Sequence, residues 1–260
     1  MFSKDVLKKS LRKRTKMQRC QEQLKNLLGL ETDVLWFAST GSTNDDVKAI
    51  LKKGGSAKYV VRVADKQTRG RGTRGRVWEN EEEALLLSVG GYVKKVSAEW
   101  MPFLGWELAK LFCEKNRDVR VKWPNDLWIG EKKLAGILCE TSQSEERGLF
   151  YVIGIGINLK GTNPNRAYLN ISQEDKIEFC AKIIRKVTES LKDFSMERLE
   201  EISAGWKERD AIFGKKVRVT DANGRIILGV EKGINEKGQL RIESDAREWV
   251  FSDASVELMQ

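Results

Sequence analysis

Histidine is absent from all 260 residues. That excludes Ser–His–Asp and Cys–His nucleophile pairs, His-ligated zinc and any imidazole acid or base. The four cysteines, Cys20, Cys113, Cys139 and Cys180, show no C-x-x-C spacing. A chain of this length does not need a disulfide framework, so a reducing cytoplasm is the expected location. Only Pro102, Pro124 and Pro164 interrupt the chain. No apolar run approaches the ~20 residues that a membrane span requires. The N-terminus lacks the apolar core of a secretory signal, and the chain holds no internal repeat or low-complexity segment.

What is present begins with charge. Lys and Arg number 47 against 38 Asp and Glu, a net charge of +9. The first 30 residues hold nine basic and two acidic residues, so most of the excess lies there. The chain therefore reads as a nearly balanced globular body behind a basic extension, not as a uniformly basic nucleic-acid coat. The extension is read as a solvated helix over residues 2–28, stopped at Gly29, in preference to a site for nucleic acid or anionic surfaces.

Periodicity then predicts a mixed α/β body. Strands are expected at Val34–Ala38, Tyr59–Ala64, Ala84–Val93, Asp118–Trp123, Leu127–Ile129, Lys133–Glu140 and Phe150–Leu159. Ser39–Asn44 is expected as a polar loop before a helix at Asp45–Lys53, with one of Ser42, Thr43 and Asn44 serving as its cap. Ser97 is expected to cap a second helix whose stripe is Trp100, Leu104, Leu108 and Leu111. Gly130-Glu131 is a Gly-first hairpin signal. Apolar residues from Ile177 to Phe194 and from Leu199 to Trp206 predict two further helices. After Phe213-Gly214 five short strands are expected, with turns at Asn223-Gly224 and Lys237-Gly238.

Gly70-Arg71-Gly72-Thr73-Arg74-Gly75-Arg76 fits the expression G-x-G-x-x-G. A dinucleotide fold needs a helix directly after that motif, whereas here the chain runs through Trp78 into a strand. The dinucleotide reading fails on context. What survives is a loop of glycines and guanidinium forks suited to phosphate or carboxylate oxygens. A solvated basic loop, or a nucleic-acid contact of the RG type, is the plainer alternative. Lys122-Trp123-Pro124-Asn125-Asp126-Leu127 forces an extended residue and then a turn. In Gly154-Ile-Gly156-Ile-Asn158 a strand lacks two side chains, which suits close approach by a ligand and equally suits tight sheet packing.

In this order and spacing the segments resemble the biotin–protein ligases. The strings are Gly41-Ser42-Thr43-Asn44, Ala64-Asp65-Lys66-Gln67-Thr68 with the Gly–Arg loop and Trp78, Lys122 to Leu127, Lys133-Leu134-Ala135-Gly136-Ile137 with Glu140, and Gly154 to Leu159. The resemblance covers roughly residues 33–258. It implies a catalytic domain over 31–212 with the mixed sheet of the class II aminoacyl-tRNA synthetase and biotin–lipoate ligase fold. A small SH3-like β-barrel over 213–260 would follow, and the basic extension over 1–30 would precede both.

The resemblance also implies chemistry. Biotin and ATP, with Mg²⁺, would form biotinyl-5′-adenylate, and the biotinyl group would pass to a lysine of a biotin carboxyl carrier protein. Ser42, Thr43, Asn44, Gln67, Gly70, Arg71, Gly72, Thr73, Lys133, Gly136, Gly154 and Gly156 would lie on the biotin side. Arg71, Arg74, Arg76, Trp78, Asn125, Asp126, Lys133 and Asn158 would lie on the nucleotide side, with Asp126 beside Mg²⁺. Lys133 and Arg71 would be the catalytic cations. A homodimer is compatible with the family; specific DNA binding is not expected, because thirty residues before the motifs are too few for a winged helix-turn-helix.

Thr73 departs from the family pattern, which usually places Arg there, and a hydroxyl cannot form a bidentate cationic clamp. The expected consequence is looser retention of the adenylate. No Lys or Arg follows Arg247, so a basic contact from the extreme C-terminus is missing. Two other readings compete: a lipoate or octanoate ligase of the same superfold, and, well behind, a basic nucleic-acid-binding module.

Overall fold

The computed structural model describes residues 17–116 and 118–259. Most of the predicted N-terminal helix lies outside them; its described part, α1, is helical over 17–28. In chain order there follow β1 (Thr32–Phe37), α2 (Thr43–Lys52), β2 (Tyr59–Ala64), β3 (Glu83–Tyr92), α3 (Trp100–Phe112), β4 (Val119–Lys122), β5 (Asp126–Ile129), β6 (Lys132–Ser144), β7 (Gly148–Lys160), α4 (Gln173–Lys192) and α5 (Met196–Gly205). Five more strands close the chain: β8 (Lys216–Asp221), β9 (Ile226–Ile234), β10 (Leu240–Ser244), β11 (Arg247–Phe251) and β12 (Ala254–Leu258). The chain divides into two compact units, Met1–Val96 with Gly136–Arg185, and Ser97–Ala135 with Lys186–Gln260.

In the first unit the strands run in the order β1-β2-β3-β7-β6. β1 and β2 are parallel, whereas β2–β3 and β3–β7 are antiparallel, so the sheet is mixed. Every residue from Ala84 to Gly91 of β3 is buried, as are most residues of β7. That explains why both read as continuous apolar runs instead of alternating ones. Val47 and Leu51 of α2 pack on Val60, Phe150 and Val152; burying each such side chain contributes about 1.5–3 kcal/mol. A Cβ at Gly90 would come within 2.8 Å of both Val47 and Leu51. Glycine there lets Val47 and Leu51 of α2 pack closely on the sheet.

The start of α2 differs from expectation. The helix begins at Thr43, with Ser42 as the cap accepting from the Asp45 N–H, so Thr43 and Asn44 belong to the helix and not to the preceding loop. Their burial against the sheet is a tertiary effect that outweighs weak local propensity.

The second unit carries α3, the antiparallel β4–β5 hairpin, the end of α4, all of α5 and the C-terminal strands. Ser97 does not cap α3. The cap position is Glu99, which makes no side-chain cap bond, and the Ser97 hydroxyl donates to the Glu99 carboxylate instead. β8 to β12 form a five-stranded antiparallel sheet in the order β11-β10-β9-β8-β12. The Trp123 indole N–H donates to the Gly238 carbonyl at 2.9 Å, and Lys122 Nζ to the Val256 carbonyl at 2.6 Å. The C-terminal sheet thereby holds the Trp123–Asp126 turn in place. Trp106 and Trp206 stack at 5.8 Å, the Trp206 indole N–H donates to the buried Asp210, and Glu231 is buried as well.

Candidate active site

Four polar side chains converge in the first unit where the N-terminal turn of α2 meets β3 and β7. Thr43 and Asn44 come from α2, Gln67 from the loop after β2, and Ser88 from β3. Ser88 faces Gly154 across the β3–β7 ladder, and Leu86 faces Gly156. Thr43, Asn44 and Ser88 are almost wholly buried, at 3%, 4% and 0% exposure, so each must find partners.

They find them in one another. Ser88 Oγ lies 2.5 Å from Asn44 Oδ1 and 2.7 Å from Thr43 Oγ1, and Thr43 Oγ1 lies 3.0 Å from Gln67 Oε1. Two hydroxyl protons thus serve three oxygen–oxygen contacts. Neither amide can turn to supply the missing proton. Asn44 Nδ2 is committed to Glu140 Oε2 at 2.6 Å, and Gln67 Oε1 already accepts the Thr43 backbone N–H at 2.7 Å. The cluster is richer in acceptors than in donors, so it favours a ligand that brings N–H groups.

Glycines make room beside it. A Cβ at Gly154 would stand 2.2 Å from Asn44 Oδ1, and one at Gly156 would stand 2.5 Å from the Trp78 ring. Gly70 is enclosed less tightly, with Gln67 Nε2 3.0 Å and Trp78 Cβ 3.2 Å from such an atom. The two strand glycines therefore serve close approach, the first by an amide and the second by an indole.

Around this cluster lies a charged rim. Arg71 donates from Nη1 to Asp45 Oδ2 at 2.8 Å and from Nη2 to Asp45 Oδ1 at 2.5 Å. Glu140 Oε1 stands 3.7 Å from Arg71 Nη2 and is also paired with Lys48. The Arg71 hydrogen bond holds the Asp45 carboxyl below its usual range and raises the guanidinium's own affinity for its proton. Two cations thus face two carboxylates. Burial pushes the Cys139 thiol up to about 12, with the Glu140 charge adding to it, and burial does the same to Cys180. Neither is a thiolate nucleophile at neutral pH.

The Gly–Arg loop has no α-helix after it. A three-residue 3₁₀ turn, Thr73–Gly75, leads through Trp78 to β3, with Arg74 at φ 58° and Gly75 at φ 71°. The rejection of a dinucleotide fold stands. Arg76 folds back onto its own loop, donating from Nη2 to Thr73 Oγ1 at 2.9 Å. Arg71, Arg74 and Arg76 are solvent-exposed. Asn158, 2% exposed, pairs with Ala84 across the ladder.

In the second unit the β4–β5 hairpin aligns Lys122 with Asp126, and the adjoining β6 carries Lys133. Lys133 Nζ lies 2.6 Å from Asp126 Oδ1, with both side chains largely shielded, and Asn125 is 8% exposed. The structure thus brings Ser42, Thr43, Asn44, Gln67, Gly70, Arg71, Trp78, Gly154 and Gly156 together in one unit. It groups Asn125, Asp126 and Lys133 in the other. Gly72 and Thr73 lie in the loop, and Gly136 lies on β6 where the chain crosses between units.

Sequence reasoning missed Ser88, Asp45 and Lys48, and named Glu140 without a role. Ser88 carried a signal, a single hydroxyl inside the apolar run Ala84–Val89. The others sit on an ordinary charged helix face or strand and carried none.

Comparison with known proteins places these features. Residues 36–158 match the Biotin/lipoate A/B protein ligase family, and residues 212–258 match the Biotin protein ligase C terminal domain. The matched domains are thus those of a ligase of the biotin/lipoate class. A biotin–[acetyl-CoA-carboxylase] ligase of Mycobacterium tuberculosis is 28% identical over 235 residues, spanning 84% of this chain and 86% of the relative. The bifunctional ligase/repressor BirA of Salmonella typhimurium is 30% identical over 210 residues, and the match spans 65% of that protein's length. A mutant biotin protein ligase from Aquifex aeolicus, solved in complex with biotin, superposes with a TM-score of 0.72 at 25% identity, covering 88% of this chain and all of that one. The chain belongs to the biotin–protein ligases, and it is an enzyme of the ligase class.

Proposed function

We propose that the chain activates biotin with ATP and transfers it to one lysine of a biotin carboxyl carrier protein of the acetyl-CoA carboxylase type. The observation that carries this reading is the acceptor-rich cluster of Thr43, Asn44, Gln67 and Ser88. The ureido ring of biotin offers two N–H donors, whereas the dithiolane of lipoate offers none. A buried site left short of a donor discriminates strongly between such ligands. The name of the Mycobacterium relative supports the acceptor class, and the Aquifex complex supports the ligand.

The chemistry suits these residues. A biotin carboxylate is already ionised at neutral pH, so one of its oxygens attacks the α-phosphorus with no general base. The bond from the α-phosphorus to its bridging oxygen breaks, and pyrophosphate leaves. The protein's task is alignment and positive charge where oxyanions develop. Lys133 and Arg71 are assigned that charge, with Arg74, Arg76, Trp78, Asn125 and Asn158 on the nucleotide side. In the second step the acceptor amine attacks the acyl carbonyl and AMP leaves.

Among the described residues no three His, Cys, Asp or Glu side chains cluster as a metal site. Magnesium is commonly held by substrate phosphates and one or two carboxylates, and Asp126 is the carboxylate proposed here. The ion would supply charge neutralisation on the triphosphate. No described helix is long and apolar enough to cross a membrane, and a cytoplasmic location is proposed, with residues 31–212 as catalytic domain and 213–260 as its C-terminal partner.

Exchange of labelled pyrophosphate into ATP tests the reading. Exchange with biotin and not with lipoate is expected; exchange with lipoate alone moves the assignment to the other acid. No exchange with either, in folded protein, overturns it.

Thr73 carries a finer proposal. Its hydroxyl faces Arg76, so the loop lacks one cation that the family pattern places on the adenylate. Faster escape of the adenylate would label nearby lysines on other proteins. Wild type is expected to biotinylate an added bystander protein several-fold more than Thr73→Arg, as about 1 kcal/mol for a charge-assisted contact implies. Equal labelling rejects this.

A further inference from the structure

The Gly–Arg loop has little backbone attachment of its own. Three backbone hydrogen bonds close it on itself: Trp78 N–H to the Gly70 carbonyl at 3.0 Å, Gly72 N–H to the Arg76 carbonyl at 2.7 Å, and Arg76 N–H to the Thr73 carbonyl at 3.3 Å. Each leg of the loop meets the rest of the unit through a named side chain. Trp78 lies over Gly156 on the returning leg, and the Arg71 fork grips Asp45 on the outgoing one. Gly70 and Gly72 flank Arg71, so the backbone on either side of it is conformationally permissive. Asp45 sits in the first turn of α2, directly after Asn44, which belongs to the polar cluster.

We propose that Asp45 is a positioning residue: its carboxylate docks the Gly–Arg loop beside the polar cluster by holding both Nη atoms of Arg71. Its neighbour Asp46 is spent elsewhere, accepting from Thr40 Oγ1 at 2.6 Å. Glu140 is the more distant carboxylate: its oxygens accept from Asn44 and Lys48, and the nearer stands 3.7 Å from Arg71. The Arg71 and Asp45 side chains are 37% and 41% exposed, so the grip is screened by salt and suits a loop that opens and closes.

The loop carries its own reporter. Arg69, Arg71, Arg74 and Arg76 are trypsin sites, and cleavage follows the opened population when opening is fast. Asp45→Asn is expected to speed tryptic nicking at residues 69–76 about five-fold at low salt, the size of a bidentate charge-assisted pair at a partly exposed site. Bound biotin is expected to dissociate faster by a similar factor, with association little changed. Asp46→Asn removes the same charge from the same helix turn and is expected to stay within twofold of wild type on both readouts. High salt is expected to bring wild type toward Asp45→Asn.

Unchanged nicking in Asp45→Asn, or an equal rise in both variants, overturns the proposal. The biotin readout rests on the ligase reading given above, whereas the trypsin readout does not. A protein that binds no biotin thus defeats that reading and leaves the docking role to be decided by proteolysis.

Discussion

Gly154→Ala is expected to weaken biotin binding by about 100-fold while the protein still folds. The added Cβ would lie 2.2 Å from Asn44 Oδ1 and 3.0 Å from Asn44 Cγ, far inside contact distance. Asn44 is not a loose side chain that can swing away, because Glu140 holds its amide nitrogen and Ser88 meets its oxygen. Moving it leaves a carboxylate oxygen and a buried hydroxyl short of partners, at about 1–3 kcal/mol each. The crowding itself costs a similar amount. Calorimetric titration with biotin measures the first effect and thermal unfolding the second. Asn44→Ala combined with Gly154→Ala removes the clash, so stability should recover while binding stays weak. Full-strength biotin binding by Gly154→Ala would show that the cluster is not the ligand's seat.

Glu231→Gln is expected to stabilise the protein at high pH and to change little at pH 5. Asp210 has two donors, the Trp206 indole N–H at 2.6 Å and the Ile212 N–H at 2.9 Å. Glu231 has one, the Gly233 N–H at 2.6 Å, and its Oε2 is buried with no donor aimed at it. The proton of the pair therefore rests on Glu231 and is offered to Asp210. Burial, and then the Asp210 charge, push Glu231 up to about 9; burial pushes Asp210 up to about 6.

The folded state keeps a proton that the unfolded chain releases near pH 4.5. The stability this group contributes is fully present below that pH and falls as pH rises toward 9. Glutamine has no proton to lose, and its amide can donate to Asp210 permanently. At pH 9 the variant should be the more stable by at least ~1 kcal/mol, a rise of a few degrees in Tm. Melting both proteins from pH 5 to 9 decides it; parallel curves mean that the pair does not carry the proton.

The two cases mark where the sequence stops being legible. Gly154 was visible as an odd residue in a strand, with packing and ligand approach left as alternatives. Only the register Ser88↔Gly154 and the seat of α2 show that Asn44 fills the space. Asp210 and Glu231 lie 21 positions apart in unrelated elements, and neither local pattern hints that they share a proton. The Ser97 cap failed for a similar reason, since a neighbouring carboxylate competed for the hydroxyl.

What the sequence determined by itself was of two kinds. The strands and most of the helices follow from periods of 2 and 3.6 in apolar residues, and the hairpins from glycines at turns, because these are local preferences that need no partner. The absence of histidine excluded whole mechanisms, and the ordered motifs indicated the family. The tertiary structure alone decided the chemistry of the site: which residues of α2, β3 and β7 meet, how many protons their oxygens share, and which carboxylate holds Arg71. Hydrogen-bond partners and burial are set by elements far apart in the chain, so no window along the sequence contains them.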